Sequence, residues 1–461
     1  MKGSDHKPDI ITYAILLSAC GEANRPDLGD ELVNVWKQDV NVIDVKVYSS
    51  MMKMYGLTNR IQNAMAIFKE LLSYGNINNL PQEEVINVHL QMIRFCSEGA
   101  SIENGRFVIN SAKRHNIFDN GLMITSTVSL YAKCNMQEEA LAVFGQYRES
   151  KLCDVTTWNA IIQCFANKGR SDKAEEYFDE MIKKGIQPSN FTISILLNAY
   201  SHDFQVDKAL SLFHNIHEFG ITTDDSINGS IIDALGRSGR IQDAYEFTKS
   251  INSITSIHYQ ILLGSCRIHR DLDTAQQVFA KLRELDSLTS SDYVTLATIL
   301  AHHGMWSEKE ALMNAMAAQG LKRIPGVSHT TINNVLYTFT VSDTSHQRSE
   351  EIRQYLRSLQ DRLKIKYNYN PNLACVTRFF DTRQEKEDHL WEHSEKLATG
   401  LNLISTKKGT PIIITKNLRM CEDCHASMKL ICLEEEREIS VRDAHRWHVF
   451  KDGKCDCDDH Y

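Results

Sequence analysis

The sequence contains few residues that break helices and no long apolar run. It has 461 residues, of which 7 are prolines and 22 are glycines, so long helical stretches can continue without interruption. No segment approaches the roughly 18 consecutive apolar residues that a membrane helix needs, and we expect no membrane partner. The chain is too long for one ordinary core, so the sequence predicts several domains or a repeat array.

A surplus of positive charge is also lacking. The net charge is −8, which excludes a global basic field of the kind that drives sequence-blind binding to nucleic acid. Residues 1–9 contain no apolar segment for secretion and are too short and too acidic for an organelle transit peptide. No targeting peptide is therefore visible, and any contact with nucleic acid must be local.

Closely spaced cysteines are scarce among the twelve in the chain. Six stand singly in helical patterns, where a free cysteine packs as a small apolar residue; these are Cys20, Cys96, Cys134, Cys153, Cys164 and Cys266. Four others have the spacing typical of metal ligands, namely Cys421, Cys424, Cys455 and Cys457.

The first three hundred residues contain a repeated pattern. At regular intervals a small residue is followed four positions later by an aromatic residue; the clearest copies are Ala64 with Phe68, Ala140 with Phe144, Ala174 with Phe178, Ala209 with Phe213, and Ala275 with Phe279. The steps from 140 to 174 and from 174 to 209 are 34 and 35 residues, a period typical of helical-hairpin repeats. Because one hairpin cannot bury both of its apolar faces, successive hairpins should stack.

The repeat units are predicted at 10–44, 45–85, 86–120, 121–154, 155–189, 190–224 and 225–255, followed by two degenerate units. The small residue lets neighbouring helices approach closely, and the aromatic residue fills the space between hairpins. The sequence thus predicts an all-α solenoid of helical-hairpin repeats over residues 1–323.

A change of pattern predicts a second domain over residues 324–461. Pro325 followed by Gly326 ends the helical pattern and turns the chain. Beyond this point helices and strands alternate, which indicates a small α/β domain. Its predicted elements are a hairpin at 331–340, a helix at 352–363, a helix at 385–403, a strand at 411–415, a helix at 423–434 and a strand at 438–441.

Two short motifs in this domain have the spacing of a catalytic zinc site. His393 and Glu395 form an H-x-E motif, and Cys421 and Cys424 form a C-x-x-C motif. One histidine and two cysteines supply three zinc ligands and leave a fourth position open for water. This order of motifs is the signature of zinc nucleobase deaminases, with Met420 in place of the usual proline. We therefore predict that zinc activates water for attack on cytosine and that Glu395 transfers the protons.

Three other interpretations of these motifs stay open. The histidine and the two cysteines can belong to a closed structural zinc site. The run from Cys421 to His425 also matches the attachment pattern of a c-type haem, although no cytochrome-like segment with an axial methionine is evident. A redox dithiol would need a thioredoxin-like context that is missing.

A second cluster of metal-ligand residues lies near the C-terminus. His448, Cys455 and Cys457, together with His425, supply four ligands for a closed zinc site. Such a site would contribute folding energy and fix the C-terminal segment beside the first site. We therefore predict two zinc ions per chain, one catalytic and one structural. The alternative is that Cys455 and Cys457 are free thiols.

The second domain resembles the DYW deaminase domain of RNA-editing pentatricopeptide repeat proteins. The resemblance covers essentially all of residues 325–461. The matching residues are Pro325-Gly-Val-Ser328, Ser345-His346, His393-Ser-Glu-Lys-Leu-Ala398, Lys416-Asn-Leu-Arg-Met-Cys-Glu-Asp-Cys-His425, Arg442-Asp443 and Phe450-Lys-Asp-Gly-Lys-Cys-Asp-Cys457. The chain departs from the family pattern in two places, and the altered terminus bears on the expected neighbouring-base preference or editing efficiency. The chain ends Asp459-His-Tyr461 where the family usually ends Asp-Tyr-Trp, and Val449 replaces a frequent second histidine.

The repeats resemble pentatricopeptide repeats of the plant-type editing class (PLS class), in which units of slightly unequal length alternate. The resemblance is carried by unit openings such as Ile10-Ile-Thr-Tyr-Ala-Ile-Leu-Leu17 and Val155-Thr-Thr-Trp-Asn-Ala-Ile-Ile162, and by the closing segment Met181-Ile-Lys-Lys-Gly-Ile-Gln-Pro-Ser189. Such arrays read single-stranded RNA with one base per repeat.

The resemblance implies that the fifth and last residues of a unit form its base-reading pair. The usable pairs are Thr125 with Asp154, Asn159 with Ser189, and Ser194 with Asp224. By the family's code they favour G, C and G in turn. The alternative is that these polar residues cap helices and form turns.

The combined interpretation is a site-specific C-to-U RNA editing factor with single-stranded RNA as its partner and zinc as its cofactor. Two alternatives are a non-catalytic RNA-binding adaptor in transcript stability or processing, and reverse U-to-C editing. The resemblance further implies accessory editing proteins as partners and a mitochondrial or plastid location.

Overall fold

The computed structural model describes residues 8–39, 44–73, 80–333, 335–376, 378, 380–444, 446–457 and 459. Residues 1–7, the predicted turn residue Asn334 and the terminal residues His460 and Tyr461 lie outside the described residues. The chain divides into two compact units, Met1–Cys164 and Phe165–Tyr461. None of the described helices is long and apolar enough to cross a membrane.

The described part of the first unit consists of helices that pack against their sequence neighbours. These are α1 (Ile10–Glu22), α2 (Pro26–Asp39), α3 (Val45–Leu57), α4 (Ile61–Ser73), α5 (Gln82–Glu98), α6 (Ile102–Arg114), α7 (Gly121–Lys133), α8 (Gln137–Tyr147) and the start of α9 (Val155–Ala166). The predicted repeat residues Ala64 and Phe68 are fully buried. They belong to the apolar core of this unit.

Capping residues explain where these helices begin. The carboxylate of Asp44 accepts hydrogen bonds from the first backbone amides of α3, and Asn120 caps α7 in the same way. The predicted start of the third unit at residue 86 is wrong, because α5 begins at Gln82. Pro81 directly precedes the helix, and proline favours a helix start since its fixed φ suits the first turn and it has no amide hydrogen to satisfy.

The second unit continues the helical repeats. Its helices are α10 (Ser171–Lys183), α11 (Asn190–His202), α12 (Val206–Asn215), α13 (Asp225–Arg237), α14 (Ile241–Ser250), α15 (Ser256–His269), α16 (Leu272–Glu284), α17 (Ser290–His302) and α18 (Trp306–Ala318). The repeat residues Phe178 and Phe279 are buried. Phe213 is only partly buried and packs edge-on against Phe247, with 5.5 Å between the ring centroids.

The C-terminal part of the second unit combines helices with one sheet. The helices are α19 (Ser349–Tyr367), α20 (Arg383–Trp391), α21 (Ser394–Ser405) and α22 (Glu422–Glu434); the strands are β1 (Val327–Ile332), β2 (Val335–Thr340), β3 (Ile412–Lys416), β4 (Ile439–Arg442), β5 (Trp447–Lys451) and β6 (Lys454–Cys455). The strand order is β2-β1-β3-β4-β5-β6. Strands β3 and β4 are parallel, and the other pairs are antiparallel.

Close packing holds α21 against α19. A Cβ added to Gly400 would lie 3.0 Å from side-chain atoms of Ile352 and Leu356, so a larger residue would push the helices apart. Leu356, Leu397 and Ile414 are buried in the same apolar core. This core holds α21 against α19 and against strands β1, β2 and β3.

The structure corrects two details of the predicted α/β domain. The single helix expected at 385–403 is two helices, because the chain becomes extended at His393, the N-cap of α21. Strands β5 and β6 were not predicted. They are short; β5 pairs with β4, and β6 pairs with β5. Such short strands have little periodicity of their own.

Candidate metal centres

The first centre brings His393, Cys421 and Cys424 together. The imidazole Nδ1 of His393 lies 3.5 Å from Cys421 Sγ and 3.4 Å from Cys424 Sγ. Tetrahedral zinc with ordinary bond lengths would place such donor atoms about 3.3–3.8 Å apart. The three side chains therefore fit a zinc ion. Cys424 is buried, whereas His393 and Cys421 are partly exposed.

Two helix N-termini position these donors. His393 is the N-cap of α21, and Cys421 is the N-cap of α22, where its sulfur accepts a hydrogen bond from the amide of Cys424. Because the N-terminal end of a helix carries partial positive charge, it stabilises thiolates and carboxylates placed there. Glu395 lies in the first turn of α21, where the same partial positive charge stabilises its carboxylate.

Glu395 is fully buried beside this cluster. Its Oε1 forms an ion pair with Lys416, and its Oε2 accepts a hydrogen bond from Ser394 at 3.1 Å. Burial raises the pKa of Glu395, but the positive charge of Lys416 holds it below its ordinary value. The carboxylate is therefore ionised and held at a fixed place next to the donors.

Two further residues of this site are not indicated by the sequence pattern. Lys416 lies in a matching motif, but nothing in the sequence indicates that its ammonium group, at the end of β3, reaches Glu395 on α21. Cys375 has no nearby cysteine or histidine in the sequence, yet its thiol interacts with Cys421. The hydrogen bond with Cys375 is the largest of the effects that lower the pKa of the Cys421 thiol.

A buried ion pair holds the two helices of the first centre together. Lys396 Nζ of α21 lies 2.6 Å from Asp423 Oδ2 of α22, and both side chains are buried. Asp423 also accepts a hydrogen bond of 2.8 Å from the hydroxyl of Tyr369, while Lys396 donates to the carbonyl of Leu390. These bonds compensate the two charges for their removal from water.

The second centre consists of His425, His448, Cys455 and Cys457, all buried. Their donor atoms all lie within 4.8 Å of one another. His425 Nε2 is 3.1 Å from Cys457 Sγ, the two sulfurs are 3.3 Å apart, and Cys455 Sγ is 3.9 Å from His448 Nδ1. Two imidazoles and two thiols complete a tetrahedron without an open position, which fits a structural zinc ion.

Carboxylates orient both histidines of the second centre. Asp443 Oδ2 lies 3.3 Å from His448 Nε2, and Asp459 Oδ1 lies 3.5 Å from His425 Nδ1. Each contact leaves the other ring nitrogen directed at the sulfurs, as is usual for metal-binding histidines. Asp443 also accepts a hydrogen bond from the amide of Met420, so it connects the second centre to the residue before Cys421.

The predicted RNA-reading residues of the first unit lie at a helix start. Asp154 Oδ1 accepts hydrogen bonds from the amides of Thr156 and Thr157 and so caps α9. Thr125 Oγ1 is 2.7 Å from Thr157 Oγ1. Asn159 is buried. In this structure these side chains make the capping and packing contacts that were the alternative interpretation.

The corresponding residues of the second unit have similar contacts. Ser189 caps α11 and Asp224 caps α13. Ser194 is buried and accepts a hydrogen bond of 3.0 Å from Ser226, while Asn190 donates to Asp224. Ser194 and the capping residue Asp224 thus both lie near the start of α13.

Family models match several parts of the chain. The DYW family of nucleic acid deaminases matches residues 368–461, and the E motif matches residues 269–331. The PPR repeat family matches residues 154–202, and the PPR repeat matches residues 46–76 and 191–221.

Curated relatives from Arabidopsis thaliana extend this similarity. Pentatricopeptide repeat-containing protein ELI1, chloroplastic, is 34% identical over 86% of this chain and 62% of its own length. Pentatricopeptide repeat-containing protein At2g02980, chloroplastic, is 31% identical over 98% of this chain and 79% of its own. This chain therefore spans less than two thirds of the first relative.

The fold is similar to a solved structure of the pentatricopeptide repeat protein PPR10 in complex with an 18-nt psaJ RNA element. The TM-score is 0.50 with 16% identity, over 70% of this chain and 52% of the other. This similarity and the match to the deaminase family confirm the predicted fold class, a helical-repeat solenoid followed by a small α/β domain. The chain belongs to the pentatricopeptide repeat protein family, and its C-terminal part belongs to the DYW family of nucleic acid deaminases.

Proposed function

We propose that this chain is a site-specific C-to-U RNA editing factor. Its repeats bind single-stranded RNA, and its C-terminal domain hydrolytically deaminates a target cytidine to uridine. The observation that carries this proposal is the buried carboxylate of Glu395 beside the three donor atoms of His393, Cys421 and Cys424. A deaminase needs both a metal with an open position and a carboxylate that does not bind the metal.

The division of chemical roles follows from these side chains. His393, Cys421 and Cys424 would hold a zinc ion, which when bound supplies the Lewis acidity that activates a water molecule. Glu395 takes the two protons of that water in turn as its oxygen bonds to C4 of cytosine; it delivers one to the ring nitrogen N3 and the other to the amino group, which leaves as ammonia when the C4–N bond breaks. Lys416 keeps Glu395 ionised before the reaction and fixes its carboxylate in place.

We also propose two zinc ions per chain, because the second centre has four donors and no open position. Residues 1–323 would form the RNA-binding part and residues 324–461 the deaminase. The base-reading assignments of Thr125 with Asp154, Asn159 with Ser189, and Ser194 with Asp224 belong to the same proposal. Relatives are named chloroplastic or mitochondrial, which supports an organellar location.

The test uses the full chain and a pool of single-stranded RNAs of random sequence, with cytidine conversion measured by sequencing. Wild type should convert cytidine to uridine at selected sequences. Glu395→Ala should lose conversion by roughly a thousandfold or more, since proton transfer typically contributes 10²–10⁴. Glu350→Ala, a matched change at an exposed position of α19, should leave it unchanged.

Three outcomes would overturn the proposal. Equal conversion by wild type and Glu395→Ala would remove the catalytic assignment. Tight RNA binding without conversion in a zinc-loaded wild type would favour the non-catalytic adaptor, and uridine-to-cytidine changes would favour reverse editing.

A further inference from the structure

A cavity of about 670 Å³ opens between α18 and the segment that precedes α20. Its wall includes the aromatic side chains of Trp306 and Phe380. Trp306 is 50% exposed, so a ligand in the cavity can contact its ring. The cavity lies within the size range of small-ligand sites in proteins, and none of the residues assigned to the two metal centres lines it.

Positive charge is concentrated in this cavity. Its described lining residues include four cationic side chains and one carboxylate, Glu310; the cations are Lys309, Arg323, Arg378 and Lys386. The ammonium groups of Lys309 and Lys386 lie 5.0 and 5.7 Å from the centroid of the Trp306 ring. For a chain with net charge −8, this is a local basic site of the kind that nucleic-acid contact requires.

The four cations lie close enough to repel one another. Burial, followed by the charges of Lys386 and Arg323, lowers the pKa of Lys309. Burial and the charge of Arg378 lower the pKa of Arg323. Among the described residues, Lys309, Arg378 and Lys386 form no ion pair with a carboxylate. A bound anion would relieve this repulsion, so the cavity favours a negatively charged ligand.

The cavity is connected to the first metal centre by aromatic contacts. The ring of Phe380 lies 4.9 Å from the ring of His389, and His389 lies 5.6 Å from His393. Phe380 thus lines the cavity at one end of this contact chain, and a predicted zinc ligand lies at the other. A ligand in the cavity would therefore lie next to the place where the target base reacts.

We propose that this cavity binds the RNA nucleotide next to the target cytidine, with its base stacked on Trp306 and its phosphate between Arg378 and Lys386. The proposal rests on the proposed function, because it assumes that the substrate is RNA. Stacking aromatics combined with a positively charged groove are the usual means of holding single-stranded nucleic acid. A nucleotide suits the cavity better than a protein ligand does. Its flat base matches the aromatic wall, and its phosphate matches the cationic side chains.

Photo-crosslinking tests where the RNA lies, independently of catalysis. The full zinc-loaded chain is irradiated with a pool of short single-stranded RNAs of random sequence that contain 4-thiouridine, and the crosslinked peptides are mapped by mass spectrometry. We expect crosslinks in residues 306–317 and 378–386. RNA that binds but crosslinks only elsewhere would overturn the proposal.

Three variants add quantitative readouts. Trp306→Ala should lower kcat/KM for conversion roughly tenfold or more, as expected for the loss of one stacked base. Lys386→Glu should make the slope of log K against log salt shallower by about 0.7, the value for one phosphate contact to a single strand. Lys407→Glu, at an exposed position of the same domain, should change neither quantity.

The outcomes separate the two proposals. Melting curves will show whether Trp306→Ala and Lys386→Glu are folded. If a variant is folded but its kcat/KM and salt slope are unchanged, the proposed subsite is overturned. If wild type crosslinks within the cavity but converts no cytidine, the subsite stands and the editing function falls. If wild type converts cytidine while the crosslinks avoid the cavity, the editing function stands and the subsite is overturned.

Discussion

The two metal centres lie in one small domain but differ in what holds their ligands. The first has three donors, two of them partly exposed, and a buried carboxylate beside them. The second has four donors, all buried, on α22 and on the two short C-terminal strands and the residues after them. The first centre is built by helix packing and a buried ion pair, whereas the strands that carry donors of the second centre are only 5 and 2 residues long. Under the proposed function, metal would serve the reaction in the first centre and folding in the second.

The largest expected effect is on the second centre. Replacing Cys455 and Cys457 with serine should remove one metal ion per chain. It should also lower the melting temperature by more than about 10 °C, because structural zinc contributes many kcal/mol to folding. Metal analysis and thermal unfolding measure both effects. Cys421→Ser is the matched variant of the first centre and should lose a metal ion with little change in melting temperature. Equal destabilisation by both changes would contradict the comparison.

The next effect tests whether protein packing forms the first centre. Lys396→Met leaves Asp423 buried without its partner and should destabilise the chain by about 3–5 kcal/mol. Denaturant unfolding measures this change. Lys408→Met breaks an exposed ion pair with Glu436 and should have almost no effect. A small effect at Lys396 would mean that metal, and not the ion pair, holds α21 against α22.

A smaller effect should follow from Asp443→Asn, which weakens the contact that orients His448. Loss of such a partner typically lowers metal affinity about 10–100-fold. Competition with a chelator measures the affinity of the second centre. The first centre should keep its metal affinity, and an equal loss at both would show that the bond from the amide of Met420 to Asp443 couples them.

The smallest expected effect is a shift in pH dependence. The charge of Lys416 lowers the pKa of Glu395, so Lys416→Met should raise it. A base with a lowered pKa stays ionised as the pH falls, so wild type keeps its activity to lower pH than the variant. The acid limb of the conversion profile should therefore move to higher pH in Lys416→Met. An unmoved acid limb would show that Glu395 is not the titrating group.

Local patterns in the sequence were sufficient to predict the helical repeats and the donor residues of the first metal centre. The 34- to 35-residue period predicted the helical repeats, since each hairpin is a short-range structure. The spacing of His393 with Glu395 and of Cys421 with Cys424 predicted the first centre, because each motif lies within one helical turn. The close spacing of Cys455 and Cys457 also indicated a second centre, whose donors on α22 and near the C-terminus the structure brings together.

Tertiary structure alone decided the contacts between distant residues. The sequence did not indicate that Lys416 pairs with Glu395 or that Cys375 lies beside Cys421. It also placed His393 inside a helix, whereas the chain turns there so that the imidazole can meet two sulfurs from α22. Such pairings depend on how the sheet and helices pack in space, and the spacing of residues in the sequence does not predict that packing.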